Sequence, residues 1–202
     1  ALLADSEHDL GLVQGRPLRS IFIGGGTPSL MSGGFYRSLL RRLQQSVDFD
    51  KTIEITLEAN PGTFEQQKFA DYREAGINRL SLGVQSFSDQ HLQALGRIHS
   101  GADACGALKT ASALGFERIN IDLMHGLPGQ SLAQAMEDLQ QGIDLGVSHL
   151  SWYQLTIEPN TEFHSRPPRL PEDDLLWAIQ EQGQSLLADT GLAQYEISAY
   201  AR

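Results

Sequence analysis

The sequence has few of the residues on which several classes of protein depend. Its 202 residues include one cysteine, Cys105, which excludes a disulfide framework and any metal site built from several thiolates of this chain. No apolar run approaches the roughly 18 to 20 residues of a membrane-spanning helix, and no basic-then-apolar leader stands at the start. The basic residues are scattered and the formal charge is -10, so we expect neither nucleic acid nor an anionic membrane as primary partner. We expect a cytoplasmic protein with one sizeable core.

Strand-like and helix-like segments alternate along the chain. Apolar, β-rich runs predict strands at 18–24, 52–60, 78–85, 118–126, 148–156 and 194–200. Glycines that can close a last helical turn in the left-handed conformation follow four predicted helices, at Gly76, Gly115, Gly146 and Gly191. Thr63 with Gln66, and Ser131 with Gln134, have the spacing of capping boxes at helix starts. This order predicts serial βα units with a parallel sheet and right-handed crossovers.

Polar residues at the strand ends help to choose between the two folds that fit this alternation, an open doubly wound sheet and a βα barrel. They end almost every predicted strand: Thr27, Glu58 and Asn60, Gln85 and Ser86, Asp122 and His125, Gln154 and Thr156, Glu196 and Ser198. In a parallel barrel all these positions surround one mouth. In a doubly wound sheet only the ends beside the switch point should be so polar. We therefore predict a partial parallel (β/α) barrel with its site at this mouth.

The stretch "SIFIGGGTPSLM" (20–31) ends its predicted strand in three successive glycines. Gly24, Gly25 and Gly26 would let the turn approach a ligand without Cβ atoms, although a tight turn without a ligand favours the same residues. The stretch is not a nucleotide fingerprint, because it has neither G-x-G-x-x-G nor G-K-[ST].

Two carboxylates and one arginine form a second candidate set. Glu58 and Asp122 end predicted strands, and Arg97 lies in "LGRIHS". Carboxylates bind ammonium or ribose hydroxyls and arginine binds carboxylate, so the set suits a zwitterionic, ribose-bearing ligand; an ion-pair network at the mouth is the alternative. Gln85 could hydrogen-bond a ribose or satisfy a neighbouring loop. The six histidines show no zinc-site spacing.

Seven ordered motifs carry a family resemblance over residues 18–202: "IFIGGGTPSLM", "LEANPGT", "RLSLGVQSF", "LGRIHS", "NIDLMHGLPGQS", "LSWYQLTIEPNT" and "YEISAYA". The chain resembles the radical S-adenosylmethionine proteins related to oxygen-independent coproporphyrinogen III oxidase. Within that group, "SWYQLTIEPNTEF", "SRPPRLP" and "YEISAYA" are most similar to the heme chaperones.

The resemblance implies a set of cofactor-binding residues. In the family the glycine-rich turn holds the methionine end of S-adenosylmethionine, which would put Gly25, Gly26 and Thr27 against its amino group and carboxylate. Thr156 matches a position that contacts the adenosyl part. The positions that match the family's further cofactor-binding residues are Glu58, Gln85, Arg97 and Asp122.

One family feature is missing from this sequence. The resemblance implies a [4Fe–4S] cluster on a C-x-x-x-C-x-x-C loop after the first barrel strand, and thiolates are the ligands that such clusters need. The lone Cys105 is predicted on a helix that faces away from the mouth. We therefore expect residues 1–202 to be an internal part of a longer barrel protein, with the first strand and the cluster cysteines upstream and a C-terminal domain downstream.

The resemblance implies two related functions. The first is a heme chaperone that binds heme and delivers it to client hemoproteins, with S-adenosylmethionine and the cluster in a supporting role. The second is oxygen-independent coproporphyrinogen III oxidation, in which two propionates of a porphyrinogen are oxidatively decarboxylated. A third interpretation, from the residues alone, is a metal-free barrel lyase or isomerase that uses Glu58 and Asp122 as acid and base.

Overall fold

The computed structural model describes the backbone of residues 2–202 and the side chains of these residues except 63 and 64. Within this range the strands are β1 (Leu18–Ile23), β2 (Phe49–Ala59), β3 (Arg79–Gln85), β4 (Arg118–His125), β5 (His149–Gln154), β6 (Ala193–Glu196) and β7 (Ala199–Ala201). The helices are α1 (Leu2–Val13), α2 (Gly33–Ser46), α3 (Thr63–Gln66), α4 (Phe69–Ala75), α5 (Asp89–Ala94), α6 (Gly101–Ala113), α7 (Leu132–Asp144), α8 (Glu162–Ser165) and α9 (Asp173–Asp189). A 3-10 turn covers Pro28–Leu30. No helix in the described part of the chain is both long and apolar enough to cross a membrane.

The strands form one curled half-barrel sheet in the order β1-β2-β3-β4-β5-β7-β6. Each neighbouring pair from β1 to β5 is parallel, and helices connect the successive strands, as the serial βα units require. The predicted partial parallel (β/α) barrel is therefore confirmed. β1 lies at one edge of the sheet, where Phe22 is 62% exposed.

The predicted strand at 194–200 is wrong in one respect, since it is a hairpin rather than one parallel strand. The chain reverses at Ser198, whose φ of 64° lies in the left-handed region, and β7 returns antiparallel between β5 and β6. The carbonyl oxygen of Ser198 accepts a hydrogen bond from the backbone N–H of Trp152 at 2.8 Å, so this residue turns the chain beside β5. β6 therefore runs in the same direction as β5, but β7 separates the polar residues at its end from the parallel strands.

The predicted punctuation of the helices is confirmed where the structure describes it. Ser131 and Gln134 form a reciprocal capping box at the start of α7. All four glycines that were expected to close helices have positive φ angles, between 74° at Gly146 and 106° at Gly76. The pair of Thr63 with Gln66 lies outside the described residues, because the side chain of residue 63 is not among them.

The two faces of the sheet have opposite chemistry. The face beneath the helices is apolar and buried on four successive strands, where it forms the core: Ile55 and Leu57, Leu80 and Leu82, Ile121 and Leu123, Leu150 and Trp152. A buried apolar residue contributes about 1.5 to 3 kcal/mol to stability, so this layer holds the half barrel together.

The concave face of the same strands is mostly polar, apart from Gly83 and Met124: Glu54, Thr56 and Glu58, Arg79, Ser81 and Gln85, Arg118, Asn120 and Asp122, His149, Ser151 and Tyr153. At the amino ends of the strands, Glu54 contacts Arg118 at 3.2 Å and Arg79 at 3.9 Å. One layer higher, Asn120 donates to the hydroxyl of Ser81 at 2.9 Å. Closed βα barrels fill this space with branched apolar side chains, so the concave face is built to surround something other than its own core.

Helix α9 packs closely on Trp152 because Gly183 has no side chain. A Cβ atom at Gly183 would overlap the indole ring of Trp152, which is 1% exposed. We predict that Gly183→Ala lowers the free energy of unfolding by about 1 to 3 kcal/mol, since an overpacked core must shift its helix. The matched control is Gly106→Ala in α6, where the nearest atom to the new methyl is Gln66 Oε1 at 3.5 Å. Urea unfolding curves in which both variants change alike would contradict this packing.

The stability of the fold should also depend on the protonation of His125. Its ring lies 4.3 Å from that of Trp152, and burial lowers the pKa of His125 to about 4. The unfolded chain binds a proton at His125 near pH 6.5, whereas the folded chain binds it only near pH 4. The contribution of neutral His125 to the free energy of unfolding is therefore fully present above pH 6.5 and is lost as the pH falls toward 4. We predict that His125→Phe removes part of this slope, at most about 1.4 kcal/mol per pH unit. An unchanged slope in His125→Phe would refute the assignment.

Candidate functional site

A cavity of about 200 Å³ lies where the carboxyl ends of β1 to β4 meet. Five of the eight predicted site residues line it together: Gly26, Thr27, Glu58, Gln85 and Asp122. The remaining wall comes from residues that follow β1 and β2 or lie on β2 and β3: Pro28, Ser29, Ala59, Asn60, Ser81 and Gly83. The polar ends of four predicted strands thus lie together around this cavity.

The glycine turn is shaped by Glu58. A Cβ atom at Gly24 would lie 2.8 Å from Glu58 Oε1, so any side chain here would displace the carboxylate. The backbone N–H of Gly25 donates to Glu58 Oε2 at 3.2 Å, and Gly25 and Gly26 have φ angles of 81° and 53° that favour glycine. The turn therefore lies directly against the carboxylate that ends the next strand.

The segment after the glycines is fixed from behind by three side chains. Tyr36 donates its hydroxyl to the carbonyl oxygen of Pro28 at 2.6 Å, and Tyr72 donates to that of Ser29 at 2.6 Å. The ammonium of Lys68 also donates to the Ser29 carbonyl, at 3.0 Å. Three donors converge on two adjacent carbonyls, which holds this wall of the cavity in one conformation.

Asp122 lies at the base of the cavity in a network of neutral side chains. Asn120 donates to Asp122 Oδ1 at 2.9 Å, and Ser81 donates to Oδ2 at 3.5 Å. Burial raises the pKa of Asp122 and the charge of Glu58 raises it further, while hydrogen bonds from Ser151 and Asn120 oppose both. A cationic group in the cavity would therefore stabilise two carboxylates that repel each other.

Gln85 presents a buried amide to the same space. Its φ is 62°, a strained value for a residue other than glycine, and it follows a register shift between β3 and β4. The residue is 4% exposed, and its Oε1 accepts no hydrogen bond of standard geometry from the described residues, although the phenol of Tyr153 lies near the side chain. A buried polar atom without a partner is costly, so a ligand group that donates here would be bound favourably.

Three predicted site residues lie away from the cavity lining. Gly25 directs its N–H to Glu58, Arg97 is exposed in the loop after α5, and Thr156 is exposed with its hydroxyl 3.0 Å from Glu158 Oε1. Of the other polar strand ends, Ser86 turns to Asp138, and His125 lies against Trp152 on the helix side.

Four functional candidates were not predicted from the sequence: Ser29, Ser81, Asn120 and Ser151. Ser81 stands four residues before Gln85, and Asn120 stands two before Asp122. The two-residue alternation of a strand would have put both on the face of the residues already chosen. Ser29 had no such signal, because it lies in the turn that follows the glycines.

Iron–sulfur ligation does not fit the residues that the structure describes. No group of three or more His, Cys, Asp and Glu residues in that part of the chain could hold a metal ion. Cys105 lies on α6 and its sulfur accepts a hydrogen bond from Gln141 at 3.2 Å. As predicted, the one thiol is on a helix.

Comparison with known proteins gives the family. A model of the radical SAM superfamily matches residues 8–141. The heme chaperone HemW of Escherichia coli (strain K12) is 56% identical over 201 residues, covering 100% of this chain and 53% of the relative. HemW of Haemophilus influenzae is 55% identical over 201 residues, which are 100% of this chain and 52% of that relative. The chain therefore spans about half the length of these curated relatives.

A solved structure agrees with both the fold and the relatives. Coproporphyrinogen III oxidase (HemN) from Escherichia coli, described as a radical SAM enzyme, superposes with a TM-score of 0.88 at 26% sequence identity. The match covers 100% of this chain and 47% of that one. With its half-barrel sheet, its polar cavity at the strand ends and these matches, the chain belongs to the radical SAM superfamily.

Proposed function

We propose that residues 1–202 are the core barrel of a longer cytoplasmic heme chaperone, which binds heme and delivers it to client hemoproteins. The observation that carries this proposal is the 56% identity to a heme chaperone, which extends over 201 residues and 100% of this chain. Neither nucleic acid nor a transmembrane segment has a part in it.

Membership of the superfamily implies S-adenosylmethionine and a [4Fe–4S] cluster as cofactors. The cavity suits the first of them. Two carboxylates, Glu58 and Asp122, would attract its ammonium and sulfonium charges, and the buried amide of Gln85 would accept from a hydroxyl. The turn of Gly25, Gly26 and Thr27, in which the two glycines have no side chains, would accommodate the amino-acid end of S-adenosylmethionine.

The volume of the cavity limits how much of the cofactor it would enclose. About 200 Å³ is less than the roughly 300 to 1,000 Å³ of sites that enclose a whole drug-sized ligand. In our proposal the amino-acid end occupies the cavity and the rest extends across its mouth. Arg97 and Thr156, both exposed outside the lining, would then contact the part that extends.

The cluster requires ligands from outside residues 1–202, which we propose to be cysteines of an upstream loop. When both cofactors are bound, they supply one-electron chemistry that amino-acid side chains lack. The contribution of this chain is to bind the cofactor, to orient it through the turn and the strand-end carboxylates, and to limit its contact with water. No residue of this chain is assigned a catalytic role.

Coproporphyrinogen III oxidation is the second candidate, and the superposition on HemN favours it. An anaerobic assay of the full-length protein with its cluster reconstituted separates the two, with coproporphyrinogen III and S-adenosylmethionine as substrates. The chaperone proposal expects stoichiometric heme binding, transfer to an apo-hemoprotein and no decarboxylated product. Steady turnover to that product, with no heme transfer, would refute the chaperone proposal and support the oxidase function.

Asp122 and Arg97 test the cofactor site itself. We predict that Asp122→Ala weakens S-adenosylmethionine binding by about 2 to 5 kcal/mol, because a buried charge that contacts the cofactor is lost. Arg97→Ala should cost less, since the side chain is exposed. Calorimetric titration of the full-length protein measures both, with circular dichroism to verify the fold. Wild-type affinity in both variants would refute the assignment.

Gly24 tests whether the turn needs its close approach to Glu58. Gly24→Ala should displace the carboxylate, because the new methyl would lie 2.8 Å from Oε1, and cofactor affinity should fall about tenfold or more. Gly34→Ala is the matched control, since the nearest atom to its methyl is Ser32 Oγ at 3.8 Å. Equal affinities in the two variants would mean that Glu58 does not set the binding geometry.

A further inference from the structure

Gln85 has a backbone conformation that its surroundings must enforce. With a φ of 62°, it lies in a region that costs a residue other than glycine of the order of 1 to 3 kcal/mol. From Leu82 to Gln85, β3 advances by three residues while β4 advances by two, from Ile121 to Leu123, which marks a bulge. Bulges beside functional sites redirect a side chain. Here the redirected side chain enters the cavity lining, where Gly83 leaves room for its amide: a Cβ there would be 2.9 Å from Gln85 Nε2.

The two residues after Gln85 are held by one carboxylate from a distant part of the sequence. Asp138 of α7 accepts a hydrogen bond from the hydroxyl of Ser86 at 2.7 Å and from the backbone N–H of Phe87 at 2.7 Å. The same Ser86 hydroxyl accepts from the N–H of Ser88 at 3.0 Å. Asp138 thus fixes residues 86 to 88 at the point where the chain leaves β3.

Burying the carboxylate of Asp138 at this position costs free energy of folding. It is 4% exposed, and its neighbours on the same face of α7 include Ala135, Leu139 and Gly142. Burial raises the pKa of Asp138, against the two hydrogen bonds that lower it. An apolar residue of similar size would avoid this cost of burying a charge. Asp138 does not line the cavity, so contact with a ligand does not account for it.

We infer that Asp138 is a positioning residue for the cavity. By anchoring Ser86 and Phe87 it holds Gln85 in the left-handed conformation and so directs the Gln85 amide toward the bound cofactor. The inference deepens the proposed S-adenosylmethionine site and rests on it.

The test compares Asp138→Asn and Ser86→Ala with Leu139→Ala in the full-length protein, reconstituted with its cluster. Asp138→Asn keeps the shape and one acceptor, and Ser86→Ala removes one of the two anchors, so both are mild enough to fold. Leu139 is fully buried on the same helix and has no link to Gln85, which makes it a control for lost stability. Calorimetry gives the affinity for S-adenosylmethionine, thermal unfolding gives the stability, and crystal structures give the φ of residue 85.

We expect both anchor variants to weaken binding about two- to tenfold, the range that one neutral hydrogen bond contributes. Leu139→Ala should lower the melting temperature at least as much and leave affinity unchanged. In a Gln85→Ala background, Asp138→Asn should cause no further loss of affinity, because it acts through that side chain. An equal loss in that background, or no loss in either anchor variant, overturns the inference.

The backbone gives a readout that needs no cofactor. In crystals of Asp138→Asn and Ser86→Ala, the φ of Gln85 should leave the left-handed region, and retention of its value near 62° overturns the inference even if binding falls. A wild-type protein that does not bind S-adenosylmethionine refutes the proposed function instead. Failure of this inference would therefore appear in the variants, and failure of the proposed function would appear in the wild-type protein.

Discussion

The polar concave face of the sheet is the constraint on which the rest of the structure depends. A buried polar group costs free energy unless it is hydrogen-bonded. Four strands of this half barrel turn polar side chains away from the helices, and neighbouring strands satisfy them in pairs and triads, such as Asn120 with Ser81 and Asp122. The parallel register decides which side chains meet. Because the apolar residues that face the helices stabilise the fold, the polar residues of the concave face are available to bind a ligand.

Close approaches at glycines give this site its geometry. Gly24 brings the turn after β1 against Glu58, and Gly83 leaves room for the amide of Gln85. Behind the site, Tyr36 of the following helix fixes one carbonyl of the turn, and Tyr72 and Lys68 of the next βα unit fix another. The backbone and side chains that would contact a ligand are thus held in place by residues that lie outside the cavity. Sites need this second set of contacts to keep their geometry within a fraction of an ångström.

The sequence allowed most of the parallel sheet and five of the cavity residues to be predicted, because both depend on local patterns. Strand alternation and helix-closing glycines recur along the chain, and the carboxyl ends of parallel strands meet at one edge. The hairpin could not be predicted, since Ser198 adopts its left-handed conformation without the glycine or asparagine that usually marks such a turn. Asp138 could not either. In the sequence it is an acidic residue in an amphipathic helix, and its contacts lie 51 and 52 residues away.

The polarity of the concave face also has a thermodynamic consequence for the whole chain. Exposure of apolar surface raises the heat capacity on unfolding, whereas exposure of polar surface lowers it. A closed barrel exposes a second apolar interior when it unfolds. This half barrel exposes a face of carboxylates, amides, hydroxyls and guanidinium groups instead. Its heat-capacity change per residue should therefore be smaller, and its stability should vary less steeply with temperature on either side of the maximum.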